Sequence, residues 1–226
     1  MTSVRVYQQL ATLTLGLLLA ACGASTVNVQ GQYPVPNVNK LPLTLGVYYD
    51  DSLRNYSYIE YSETGAAEYE VNIGQTHLDF FSTVLPGLFE NVVVLESAEA
   101  TSVDEVDAVF IPLIEDFQLA LPQKTKLDAY EAWIKYNMRL ESKEGERIAD
   151  WVVTSYGRTP VGGLRSIGSA INDAGALAMR DLGRSIIDFS NVPEIKSWLE
   201  RRFNMQIADP IERNPSTGVP GQEPVF

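Results

Sequence analysis

The sequence predicts an α+β fold: an antiparallel sheet of about four to five strands with two long helices packed on one face, in β-α-β-β-β-α order. Three observations carry that prediction. Residues 43–49 and 130–141 alternate side-chain character at the two-residue period of a strand. Two longer stretches, beginning at Gln75 and Ser166, repeat apolar residues at the 3.6-residue period of a helix. Polar segments containing Gly, Pro or Ser separate these runs, and no internal repeat is found.

The first strand is Leu43-Thr44-Leu45-Gly46-Val47-Tyr48-Tyr49, a β-branched and aromatic run. The polar, tyrosine-rich stretch from Asp50 to Glu70 reads as a long loop, with a short strand near Tyr69 to Val71. In the first helix Phe80, Phe81, Val84, Leu85, Leu88 and Phe89 fall on one stripe. Pro86 removes a backbone donor there and predicts a kink. Asn91 is the expected stop before a short strand, Val92 to Leu95.

A longer strand runs from Asp107 to Leu121, with Pro112 marking an edge position or a bulge. The clearest pairing follows it. Tyr130, Ala132, Ile134, Tyr136, Met138 and Leu140 alternate with Glu131, Trp133, Lys135, Asn137, Arg139 and Glu141, the pattern of a sheet with one wet face. After a polar turn containing Gly145, Ile148 to Tyr156 returns as the hairpin partner. The second long helix spans about Ser166 to Phe189 and buries Ile167, Ile171, Ala174, Leu177, Ala178, Leu182 and Ile186. Its small residues suit close approach to a sheet. Pro193 fits the first turn of a third helix, Glu194 to Phe203.

Both ends of the chain read differently. Residues 1–21 have the form of an export signal: Arg5 precedes an apolar run, Leu10 to Ala21, too short for the roughly 20 residues a bilayer span needs. The run ends in Leu19-Ala20-Ala21-Cys22-Gly23, with the chain's only cysteine fourth. This resembles the lipobox of bacterial lipoproteins, in which small side chains admit the signal peptidase and the thiol takes diacylglycerol before cleavage. The resemblance implies a lipidated Cys22 held in a membrane by palmitate-type acyl chains, since two or three chains anchor durably where one does not. Gly23 resembles the class sorted to the outer membrane, facing the periplasm. Residues 22–40 are then expected to be a flexible stalk, 41–207 a single α+β domain, and 208–226, with four prolines, a disordered tail.

Composition narrows the partners. With 17 basic against 29 acidic residues the chain carries a net charge of -12, and removal of Arg5 with the signal makes the remainder more acidic still. Such a field repels phosphate backbones, so no nucleic-acid partner is expected.

From Leu41 to Phe189 the element order, taken with the lipobox, resembles small periplasm-facing lipoproteins such as the lipopolysaccharide-assembly lipoprotein and the auxiliary lipoproteins of lipid-transport systems. The likeness implies a non-catalytic accessory module that docks on an envelope protein. Two other functions compete with it: a lipid- or glycan-binding module, and a carboxylate-based hydrolase of envelope glycan.

The candidate site residues follow from chemistry. His77 is the only histidine, so a multi-histidine zinc site is excluded and no metal or cofactor is expected; a cap or packing role is the reading for His77 itself. Neither GxSxG, HExxH nor a Walker-type loop is present. Asp50 with Asp51, and Glu115 with Asp116, are adjacent carboxylates whose side chains point to opposite faces of a strand, which keeps either pair from acting together. Tyr56, Tyr58 and Tyr61 form a candidate recognition patch. Trp133 and Trp151 are expected on the face opposite the Tyr130-to-Leu140 row, paired across the hairpin or open to a partner. Arg158 and Arg165 flank Gly162-Gly163 before a helix start, a candidate anion site.

Overall fold

The computed structural model describes residues 23–98 and 106–203. The export signal, Cys22 and the Pro-rich tail lie outside the described residues. The architecture is α+β, with two sheets and packed helices.

The larger sheet has the order β5-β2-β6-β7-β8. Its strands are β2 (Leu41–Tyr48), β5 (Phe89–Leu95), β6 (Ala108–Ala120), β7 (Ala129–Ser142) and β8 (Arg147–Pro160). The smaller sheet has the order β1-β4-β3, from β1 (Ser25–Asn28), β3 (Ser57–Tyr61) and β4 (Ala67–Asn72). The helices are α1 (Asp51–Arg54), α2 (Gly74–Val84), α3 (Pro122–Thr125), α4 (Ile167–Ile187) and α5 (Pro193–Phe203). No helix among the described residues is long and apolar enough to cross a membrane.

The β6-β7-β8 meander is antiparallel and in the register the alternation implies, with Tyr136 opposite Ile114 and Val153. Along β7 the even-numbered residues from Tyr130 to Leu140 are all buried. The turn to β8 closes on Gly145 at φ 83°, a conformation that glycine adopts without steric cost. The expectation of an antiparallel sheet fails on the other side, where β2 runs parallel to both β5 and β6. Strands in sequence can be parallel only through a crossover, and the chain from β2 to β5 passes through β3, β4 and α2 before returning.

Pro112 sits where the pairing of β6 with β2 has already stopped, at Phe110, so its missing donor costs the ladder nothing on that flank. The bulge lies further on, between Ile114 and Asp116.

Helix α2 ends at Val84, earlier than Asn91. Pro86 turns the next residues, Leu85–Gly87, into a 3-10 turn, and Leu88 and Phe89 of the predicted stripe are buried as loop and strand instead. The longer helix α4 starts where expected: the Ser166 hydroxyl accepts from the Ser169 amide at 3.2 Å. Its small residues meet a glycine on β8. A methyl built on Gly157 would fall inside the contact distance of the Ala174 carbonyl and the Ala178 amide, so only glycine lets the helix lie this close.

Two stretches expected to be unstructured are built into the core. Residues 23–40, expected to be a stalk, carry β1, which runs parallel to β4 from Ser25 opposite Tyr69 to Asn28 opposite Asn72. Val27 and Val29 are buried, the Gln30 amide donates to the Asn172 side chain at 2.7 Å, and Tyr33 meets Phe80 edge-on at 5.2 Å. Four residues with one inward valine are too short for a period to show, and the strand exists because α4 and β4 offer it a wall. Residues 50–70, expected to be a long loop, contain α1 and the β3–β4 hairpin. Asp50 caps α1 by accepting from the Leu53 amide at 2.8 Å. On β3 the inward positions are Tyr58 and a glutamate, Glu60, which the binary pattern marks as exposed. Glu60 is buried because Lys124 and the Tyr58 hydroxyl satisfy it.

The main core lies between the larger sheet, the smaller sheet and the helices, centred on Phe80, Phe81, Phe110, Tyr136, Met179 and Leu182. His77 sits inside it, with Nε2 2.9 Å from the Tyr136 hydroxyl. Burial pushes its pKa down to about 3, so the ring is neutral near pH 7.

Candidate functional site

Strand β8 is the edge of the larger sheet, and α4 lies along it. Beside them a groove of about 650 Å³ opens to solvent. One wall is the Gln30-Gly31-Gln32 segment that follows β1. The other is the end of β8, Arg158 to Pro160, with the α4 face carrying Asp173, Ala176, Leu177 and Arg180.

The structure brings Arg158 and Arg165 together here and adds Arg180. Each cation is held from within. Arg158 Nε lies 3.5 Å from Glu131, Arg165 donates to Asp173 at 3.0 Å, and Arg180 Nε donates to the Gln32 carbonyl at 3.2 Å. Glu131 is itself buried on the outer sheet face and accepts from the Tyr156 hydroxyl at 2.6 Å. That hydrogen bond, more than burial, raises the Tyr156 pKa. Thr159 also lines the groove. The residue is 2 % exposed, and Oγ1 has no hydrogen-bond partner among the described residues. A buried hydroxyl left this way retains an unused donor.

Arg180, Gln30, Gln32 and Thr159 were not expected from the sequence. A signal for the helix part exists: Asp173, Ala176, Leu177 and Arg180 are spaced i, i+3, i+4, i+7 and share one helix face. Gln30 and Gln32 lie in the segment expected to be a stalk and carry no such signal.

The tyrosine patch is not assembled. Because residues 57–61 form a strand, Tyr58 and Tyr61 point to opposite faces. Tyr58 packs on Phe117 at 5.0 Å, Tyr56 rests against the core, and only Tyr61 is open to solvent. Burial, reinforced by its hydrogen bond to Glu60, raises the Tyr58 pKa.

The two tryptophans also separate. Trp133 is on the outer face as expected, 39 % exposed, and pairs with Tyr156 at 5.1 Å. Trp151 lies opposite Met138, in the inward row, and packs on Phe189 at 5.7 Å and Phe110 at 6.2 Å. An irregularity in the pairing between Leu140 and Glu141 accompanies this register.

Beside Trp133 a shallow recess of about 300 Å³ is lined by Asp116, Gln118, Lys135 and Thr154. Adjacent carboxylates were expected to diverge in β6, but the bulge overrides alternation there. Glu115 binds Lys135 at 2.6 Å, and Asp116 stands opposite Lys135 in the register. Asp50 is engaged as a helix cap, and Asp51 is exposed in the first turn of α1. Among the described residues no group of three or more metal-ligating side chains occurs.

No protein-family model matches the chain, and no curated protein matches it in sequence. A solved structure shares its fold. A Xanthomonas campestris protein of the DUF330 family superposes with a TM-score of 0.51 at 11% identity, over 77% of this chain and 99% of that one. A minor lipoprotein from Acinetobacter baumannii is also similar, with a TM-score of 0.38, 13% identity, and coverage of 66% and 90%. So is an uncharacterised lipoprotein B from Nitrosomonas europaea, with a TM-score of 0.38, 13% identity, and coverage of 72% and 94%.

Proposed function

We propose that the chain is a lipid-anchored, non-catalytic lipoprotein of the outer membrane that faces the periplasm. In this reading it acts as a docking module for an envelope assembly or transport machine. The groove between β8 and α4 is the observation that supports docking. It is open rather than enclosed, it combines the exposed apolar side chain of Leu177 with three arginines, and each arginine is already oriented by an internal acceptor. Preorganised guanidinium groups lose little entropy on meeting a carboxylate or phosphate and form paired hydrogen bonds with it. An acidic segment of a partner protein suits these features. The anchor rests on Cys22 and its flanking residues.

Two experiments test the reading. In cells labelled with radioactive palmitate, the chain takes up label and fractionates with outer membranes, and Cys22→Ser abolishes both. A photo-crosslinking amino acid at Leu177 gives one defined adduct in intact envelopes, and R158E/R180E removes it. Unlabelled protein would overturn the anchor. An adduct indifferent to the arginines would overturn the groove as the docking surface.

A second reading is favoured by the outer sheet face. Trp133 offers an exposed aromatic face, with Tyr156 tilted 38° against it, beside Asp116, Gln118, Lys135 and Thr154, a combination suited to stacking and hydrogen bonding a sugar ring. Trp133→Ala abolishes binding of envelope glycan fragments in isothermal titration under this reading and leaves the Leu177 adduct intact.

A further inference from the structure

One end of the molecule gathers three turns and the start of the described chain. Ser25, the first residue of β1, is opposite Tyr69 near the start of β4, so it lies beside the β3–β4 turn. Lys124 in α3 donates to the Tyr61 carbonyl at that turn, which brings the β6–β7 connection to the same end. The Val161 amide donates to the Asp128 carbonyl at 3.0 Å and adds the β8–α4 loop. Along α4, Gly168 faces Val27 and Gly175 faces Val29, so the chain from Ser25 onward tracks the helix from its N-terminal end.

These three turns carry large apolar side chains that no described residue covers. Tyr61 is 54 % exposed, Leu127 46 %, Val161 52 %, and Leu164 fully exposed at 110 %. Leu164 follows Gly162 and Gly163, both at positive φ, and is not packed against the rest of the described chain. Charges around the turns nearly balance, with Lys126 and Arg165 among them and Glu63 and Asp128 opposing, although the whole chain is strongly acidic. Uncovered apolar tips rimmed by balanced charge are disfavoured in water and favoured at a membrane interface.

Cys22 precedes Ser25 by three residues, and a chain spans at most about 3.6 Å per residue, so the lipidated position is within roughly 11 Å of this end. We infer that the domain rests directly on the phospholipid bilayer through this end, with Leu164, Val161 and Leu127 dipping among the headgroups. The inference builds on the lipid anchor proposed above and adds a fixed orientation to it. A tether this short delivers the domain to the bilayer with these turns foremost. The groove, whose wall includes Arg165, then opens just above the headgroups.

The test uses the full chain, processed and lipidated, in phosphatidylethanolamine and phosphatidylglycerol vesicles. Environment-sensitive dyes are placed one at a time through Leu164→Cys, Leu127→Cys and, at the far hairpin turn, Glu146→Cys. Dyes at 164 and 127 shift to the blue and are quenched at least severalfold more by shallow brominated lipids than a dye at 146. Equal, water-like signals at all three positions in protein that floats with vesicles would overturn the orientation and leave the anchor standing. Protein that carries no lipid and does not float would overturn both. As a second measure, V161D/L164D, which changes only exposed positions, retains the circular dichroism of the parent and loses the contrast between the dyes at 127 and 146. Retention of that contrast would also overturn the inference.

Discussion

Replacing Gly157 by alanine tests the closest contact in the fold. The added methyl would stand 3.0 Å from the Leu177 carbonyl carbon and closer still to the Ala174 oxygen and the Ala178 nitrogen, all of them helix main chain. Main-chain atoms cannot rotate away as a side-chain tip can, so α4 must back off from β8. Overpacking of this kind costs about 3 kcal/mol, the upper part of its usual range. Alanine recovers about 0.5–1 kcal/mol of backbone entropy relative to glycine. The net expectation is a loss of about 2–2.5 kcal/mol, or roughly 4–10 °C in Tm for a domain of this size. Gly183→Ala is the control. Its methyl would meet only the Phe80 ring, at 3.7 Å, so this helix-interior change is expected to stabilise by about 0.5–1 kcal/mol. Urea unfolding followed by tryptophan fluorescence reads both. If Gly157→Ala stays within about 0.5 kcal/mol of the parent, the close approach of α4 to β8 is wrong.

His77 makes stability depend on pH. Its pKa is about 3 in the folded chain and near 6.5 in the unfolded one, so between those values only the unfolded chain binds the proton. Stability is therefore full above pH 6.5 and declines below it, by about 2 kcal/mol between pH 6.5 and 5, and His77→Gln flattens that slope in urea melts. Val29→Ala is expected to cost about 1.5–2 kcal/mol through lost burial, whereas a change in a free stalk would cost nothing; thermal melts separate the two. Lys124→Ala removes one of the groups that satisfy buried Glu60 and is expected to destabilise by about 1–3 kcal/mol. Glu60→Gln added to it restores part of the loss, which a double-mutant cycle measures.

Where the structure follows the sequence, the signal is long. Fourteen residues of β7 and twenty-one of α4 carry several repeats of their period, and both appear close to the expected limits. Short elements are different. In β1 one inward valine cannot establish a period, and in β3 the inward glutamate breaks the pattern because its partner, Lys124, lies far along the chain. Arg158 and Arg165 were legible as neighbours of a helix start, but Arg180 and Gln32 join them only because β1 lies against α4, a contact between distant segments. Trp151 was placed on the wrong face because a single irregularity in pairing shifts every later residue to the other side.

The wiring of β1 sets how the body answers a pull. A pull on the chain ahead of β1 would enter at Ser25 and run along the strand axis. The parallel ladder to β4 would then be strained in shear, with its hydrogen bonds resisting together and not opening singly. Tension arriving from that side would therefore load the three-stranded sheet before it reached the five-stranded one.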